Sequence, residues 1–327
     1  MLSENRCDKY QVPITYAVKH KDNDIRMASR SGGIFTALSD KVLSNSGVVY
    51  GCIINEDFMA IHIRADNIKD RNLMRGSKYI QSEMKDIFHE VENDLKNERE
   101  VLFSGTSCQI AGLLSFLGKN YEKLLCVDIV CHGVPSPLVW KDYLKWQKKK
   151  NMSEIEHVDF RNKKEFGWKD HVETIYFKNG KIINTRVFKA LFYGHTILRP
   201  CCYKCPFKDI IHPGNLTIAD YWGIEQAAPG FDDNKGVSLV LVNDEKGMNY
   251  FNACKECLEI RNTKIEDSIQ PALQAPFNEP GNRKEFWKNY KESGFDLIAR
   301  KYGGYGYLAI IKRKIKGLYR RLNKIKR

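Results

Sequence analysis

What the chain lacks narrows its class first. No apolar stretch reaches the ~18 residues that a membrane-spanning helix needs. The opening residues, MLSENRCDKYQVPITYAVKHKDND, hold no apolar core of the kind that marks a secretory leader, so none is expected and the protein reads as cytoplasmic. There is no internal repeat and no low-complexity linker. No disulfide scaffold is needed, because 327 residues, 43% of them hydrophobic, suffice to bury a large core. At roughly 150 residues per domain, that length allows about two domains. The net charge of +13 changes meaning once it is located: residues 301–327 hold ten Lys or Arg and no Asp or Glu, which leaves +3 on the rest. A body so close to neutral gives no sign of a basic face, and nucleic acid is not an expected partner.

Within the body, strand and helix patterns alternate. Residues 31–43, SGGIFTALSDKVL, read as a turn and an amphipathic helix, and GVVYGCII at 47–54 as a strand. A polar helix is expected over 83–97. Next come VLFSG at 101–105, a buried strand running into GTSCQ and a helix, and LLCVDIVCHG at 124–133, a second buried strand. Residues 137–150 read as a helix. The alternation predicts an α/β core, with mixed α+β character overall. Past residue 151 the pattern turns β-rich and holds a cysteine pair. The Asn-Gly in ETIYFKNGKIINTRV predicts a hairpin, LTIADYWG and GVSLVLV predict strands, and 244–261 reads as a helix. The expected parts are 1–150, 151–300 and a basic tail, 301–327.

Ten cysteines are many for a chain with no sign of secretion. In a reducing compartment, grouped cysteines point to metal or redox chemistry. Cys202 and Cys205 form a Cys-x2-Cys pair beside Cys201. Cys108 and Cys131 lie just past buried strands, where α/β folds place functional groups. Together Cys108, Cys131, Cys202 and Cys205 supply four soft thiolates, a set that suits an iron–sulfur cluster or zinc. Cys52 and Cys126, inside apolar strands, read as small buried hydrophobes. Cys254 and Cys257 read as plain helix positions, and no role is expected for Cys7.

Six motifs occur in order: SRSGGIFTALSDKVL, VVYG, RGSKYIQSEM, VLFSGTSCQIAGLLSFL, VDIVCHGVPSPLVWKDYL and CCYKCPF…LTIADYWG. Together they resemble the beta-subunit family of coenzyme F-420 hydrogenases and dehydrogenases over roughly residues 14–245. Many relatives read GTPCQ where this chain has Ser107, and GD where it has Ala219-Asp220; the Cys and the Asp remain. The resemblance implies an oxidoreductase with FAD and a [4Fe–4S] cluster that acts on a ring-type substrate or carrier. Similar bacterial members often accompany polysaccharide-biosynthesis genes, which would make a lipid-linked substrate apt. Many of them begin with a ferredoxin-like domain of repeated Cys-x2-Cys-x2-Cys-x3-Cys. Nothing before residue 52 shows that pattern, so a separate electron donor is expected, a deazaflavin coenzyme or a ferredoxin.

The same resemblance points to an FAD pyrophosphate at Ser31-Gly32-Gly33, where glycines admit a phosphate to a helix N-terminus. Gly76, Ser77, Lys78 and Tyr79, after Arg75, would clamp phosphate or lie against a ring; without a ligand they read as a polar loop. Gly105 and Thr106 form an anion-binding type of turn. Asp220 would orient a ligand or a loop. Lys78 and His132 are the candidates for catalytic roles, and His132 reads equally as a hydrogen-bonded structural residue. Two other functions fit the cysteines: a non-redox cell-surface-pathway protein with structural zinc, and an electron relay without its own substrate. Finally, Leu308, Ile311, Ile315, Leu318, Leu322 and Ile325 make an apolar stripe in a cationic tail. Such a helix suits peripheral contact of residues 308–327 with an anionic membrane surface.

Overall fold

The computed structural model describes residues 9–306; Cys7 and the stripe at 308–327 lie outside them. In chain order the strands are β1 Lys9–His20, β2 Val48–Ile54, β3 Ala60–Ala65, β4 Val101–Thr106, β5 Leu124–Ile129, β6 Ile155–Asp159, β7 Glu173–Phe177, β8 Ile182–Thr185, β9 Leu216–Asp220, β10 Ser238–Asp244 and β11 Leu258–Thr263. The chain divides into two interleaved units. Of the described residues, the first holds 9–134, 161–170 and 204–276, and the second 135–160, 171–203 and 277–306. The chain therefore passes between the two units several times.

The first unit is built on an eight-stranded mixed sheet ordered β11-β1-β10-β9-β5-β4-β2-β3. Its centre is parallel: β2 pairs with β4, β4 with β5 and β5 with β9. Antiparallel pairs flank it, β3 on β2, and β10 and β1 beyond β9. The parallel strands are apolar on both faces because both faces are covered. Val48, Tyr50, Val101, Phe103, Leu124 and Cys126 pack with helices Ile87–Lys96 and Ser107–Leu117. The alternate residues Val49, Leu102, Leu125 and Val127 pack on the other face with helix Ile34–Ser44. That helix buries Ile34, Ala37, Leu38 and Val42, the spacing of one helical stripe.

Two boundaries differ from the sequence expectation. The helix expected over 244–261 spans Glu245–Ala253, capped by the Asp244 carboxylate on the Gly247 amide at 2.7 Å. Leu258–Thr263 then pairs with β1 as an edge strand, so sheet pairing overrides local helix propensity there. β1 itself, twelve residues long, is an inner strand that reads poorly from its mixed composition.

The second unit holds a small antiparallel sheet, β6-β7-β8, with the expected hairpin closing between β7 and β8. Gly180, at φ 80°, makes the turn. Helix Pro137–Asn151 brings Trp140 within 4.6 Å of Phe160 and 4.8 Å of Phe188, ring to ring, to form an aromatic core. Among the described residues, no helix is long and apolar enough to cross a membrane.

Candidate functional site

One end of the large sheet collects most of the chemistry. The parallel strands β2, β4, β5 and β9 point their carboxyl ends the same way, the edge where open α/β sheets bind ligands. Thr106 closes β4, with Cys108 in the helix that follows; Cys131 lies two residues past β5; Asp220 closes β9. Because β10 runs antiparallel to β9, Ser238 stands opposite Asp220, and Val18 of β1 stands opposite Ser238. The Ser31-Gly32-Gly33 turn docks there.

Asp220 is the centre of this edge. Its Oδ1 accepts from Ser31 Oγ at 2.9 Å and its Oδ2 from Arg161 Nη1 at 2.9 Å. Arg30 Nε stands 3.5 Å from the same Oδ2. Arg161 also donates to Tyr79 Oη at 3.2 Å, which ties the Arg75–Tyr79 segment to the node. Both Arg30 and Arg161 donate to the Trp168 carbonyl. Trp168 is fully buried and stacks at 5.2 Å on Trp222, which is 37% exposed. Nearby, Lys163 Nζ donates to the carbonyls of Arg26, Ser29 and Ser31 at 2.6–3.1 Å. Burial, with Arg30 and Arg26 adding repulsion, pushes Lys163 down to about 7.

The structure thus brings Ser31, Asp220 and Tyr79 together. Gly32 is tightly packed against β1 and β10. A Cβ on it would lie 2.1 Å from the Val18 carbonyl, and its amide already donates to Ser238 Oγ at 2.9 Å. It serves the close approach of the turn to β1 and β10. Gly33 caps helix Ile34–Ser44 at φ 95°, with no side chain covering that helix start. Gly76 and Ser77 are exposed. Lys78 Nζ donates to the carbonyls of Leu73, Met74 and Arg75 at 2.7–3.1 Å, closing the end of helix Ile68–Leu73. Burial draws its ammonium down to about 8. Gly105 leads into Thr106, whose amide donates to Gln109 Oε1 at 2.9 Å as part of a capping box. His132 is half-buried.

Sequence reasoning missed Arg30, Arg161 and Lys163, and also a buried trio under the same edge. Asp128, fully buried in β5, lies 3.2 Å from His212 Nδ1, which is 3.0 Å from Ser107 Oγ. Burial lowers the His212 pKa, but the charge and hydrogen bond of Asp128 outweigh it and the net shift is upward. Both neighbours address the same ring nitrogen, and His212 Nε2 has no partner, so the trio is not a proton relay of the catalytic-triad kind. The charged Asp128 inside the apolar run LLCVDIV was the legible signal.

The cysteines sort by burial. Cys126 and Cys254 are buried, and burial pushes both thiols up to about 12. Cys254 donates to the Ala37 carbonyl. These are structural thiols, as expected. Cys131, Cys202 and Cys205 are half-buried and Cys108 is exposed, and thiols of this kind suit soft metals. Cys108, Cys131 and Cys205 belong to the first unit and Cys202 to the second; the boundary at 203/204 passes through the Cys-x2-Cys loop. Among the described residues, no group of three or more His, Cys, Asp or Glu side chains is gathered to hold a metal ion.

Residues 98–268, more than half the chain, match the protein family described as the carboxyl-terminal part of the beta subunit of coenzyme F-420 hydrogenase/dehydrogenase. The matched segment contains all four of these cysteines and Asp220. Among curated proteins, none matches the chain. A chain of the F-420-reducing [NiFe] hydrogenase complex from Methanosarcina barkeri, from a xenon-derivatised structure, aligns with a TM-score of 0.52. The alignment covers 89% of this chain and 88% of that one at 15% identity, so the likeness is one of fold.

Proposed function

We propose that this chain, which belongs to the coenzyme F-420 hydrogenase/dehydrogenase beta-subunit family, is an electron-transferring oxidoreductase subunit that binds FAD and a [4Fe–4S] cluster. The observation that carries the reading is the Asp220 node. It sits at the carboxyl end of a parallel sheet, beside the Ser31–Gly33 turn and on the edge that also bears Cys108 and Cys131. When bound, a cluster supplies single electrons and a flavin converts them into a hydride equivalent. Cys108, Cys131, Cys202 and Cys205 would hold the cluster. Asp220 fixes Ser31 and Arg161, and Arg161 fixes Tyr79, so the groups around the flavin are positioned in advance. Trp222, two residues past Asp220 and stacked on Trp168, presents a partly exposed aromatic face.

The electron partner in this reading is a separate protein or a deazaflavin coenzyme, and the substrate is a small or lipid-linked molecule met in the cytoplasm. Tail residues 308–327 would hold the chain at an anionic membrane face. The ligand set is tested by metal analysis of the full chain purified without oxygen. Cys202→Ala and Cys205→Ala are expected to lose iron and sulfide together. Cys126→Ala and Cys254→Ala are expected to keep both, because buried thiols held near 12 make no thiolate ligand. Full iron in Cys202→Ala would remove it from the set and make Cys201 the residue to test.

A further inference from the structure

The near-neutral charge of the body conceals a division between its two units. Among the described residues, the first unit holds 27 Lys or Arg against 29 Asp or Glu, and the second holds 16 against nine. The second unit is therefore cationic in its own right, before the tail is counted. An excess of one sign on a folded unit draws surfaces of the other sign toward it.

Part of that charge is ordered on one helix face. In helix Pro137–Asn151, Leu138, Lys141, Lys145 and Lys149 follow one another at spacings of 3, 4 and 4, which sets them on a single stripe. All four are exposed, Leu138 at 56%. Val139, Trp140, Tyr143 and Leu144 form the buried face of the same helix. Lys145 lies 3.5 Å from Asp142, a surface pair that water and salt weaken. Met152, three residues past Lys149, caps the helix in the left-handed region at φ 51° and is 91% exposed. Packing does not account for a methionine at that position. The stripe thus has three ammonium groups in its middle and an apolar side chain at each end.

The chain leaves the described structure beside this helix. The Tyr305 ring stands edge-on to Trp146 at 5.1 Å, and Lys150 Nζ lies 4.0 Å over it. The 21 residues that follow Gly306 hold nine Lys or Arg and no Asp or Glu.

We infer that the Leu138–Met152 stripe of the second unit is a docking surface for an anionic lipid membrane. The inference rests on the membrane reading of the tail and extends it to the folded chain. Lysines take the charge of lipid headgroups, while Leu138 and Met152 suit the apolar boundary beneath them. A nucleic-acid backbone would use the lysines and leave both apolar side chains in water.

The test is co-sedimentation of the full chain with phosphatidylcholine vesicles that contain a rising share of phosphatidylglycerol, at low and high salt. Wild type is compared with a helix variant, Lys141→Gln, Lys145→Gln and Lys149→Gln together. A tail variant carries Lys312→Gln, Arg313→Gln, Lys314→Gln and Lys316→Gln. Melting temperatures near wild type show that the variants are folded, since exposed substitutions of this kind cost little. Wild type is expected to pellet with anionic vesicles and to be released by salt. The helix variant should bind roughly tenfold to hundredfold more weakly, the effect of three lysines at a charged surface. If both variants weaken, the inference and the tail reading both stand. If only the helix variant weakens, the inference stands and the tail reading falls. A helix variant that binds vesicles like wild type overturns the inference, whatever the tail variant does. A wild type that ignores anionic vesicles removes both readings, and one that binds duplex DNA instead puts nucleic acid in their place.

Discussion

Burial holds the Glu173 carboxyl near a pKa of about 8, although the amides of Lys189 and Phe188 at the start of helix Val187–Tyr193 pull the other way. The Lys189 amide reaches it at 2.5 Å, and its second oxygen has no partner. The folded-state pKa is raised above the unfolded value, so the fold favours the neutral acid. Its contribution to stability is full below the unfolded carboxylate pKa and is lost as pH rises through about 8. Glu173→Gln is neutral at every pH. It should flatten the fall in melting temperature between about pH 5 and 8; an unchanged slope would remove Glu173 as its cause. At the carboxyl edge of the large sheet, single residues were only partly legible. The motif SRSGG is conspicuous, but the close approach of Gly32 to the Val18 carbonyl depends on strands that meet only in the fold. Gly33, at φ 95°, adopts a conformation that strains any side chain, which no sequence pattern shows. Arg161 reaches Asp220 across 59 residues, so no local pattern announced it. Lys78 looked like a phosphate clamp because its glycine, hydroxyl and aromatic neighbours suit one; in the fold, helix Ile68–Leu73 ends just before it and takes its charge.

At the scale of elements, legibility followed burial. β2, β4 and β5 are apolar runs because helices cover both faces of the sheet, and they were read to within a few residues. The hairpin β7–β8 was announced by its Asn-Gly turn. β11 was missed because an edge strand needs only a partner: LEIRNT has two exposed charges and no strong alternation, and β1 supplies the pairing. The covered-sheet account makes a quantitative claim. Leu102, fully buried in β4, should cost about 2–5 kcal/mol as Leu102→Ala, whereas Ile182→Ala, at a β8 site 57% exposed, should cost well under 1 kcal/mol. Equilibrium urea unfolding of the two variants checks this. Equal losses would mean that β4 is not buried on both sides. A smaller test concerns the turn: Gly32→Ala should lower stability by about 1–3 kcal/mol or more through overpacking against backbone, with a matching fall in melting temperature.

Across the whole molecule, the sequence conveyed the α/β class and the family, because six motifs in order are a stronger signal than any one of them. The interleaving of two units was not readable, since the segments 161–170 and 204–276 return to the first unit without any change of composition. Iron–sulfur and flavin chemistry together form the central claim; the family match and the Asp220 edge are what support it. The measurement that tests it most directly is the visible spectrum of the full chain purified without oxygen, with flavin, iron, sulfide and zinc quantified on the same sample. The account predicts flavin bands over a broad shoulder that bleaches on reduction, with iron and sulfide in equal amounts. Colourless protein carrying one zinc per chain and no flavin would contradict it.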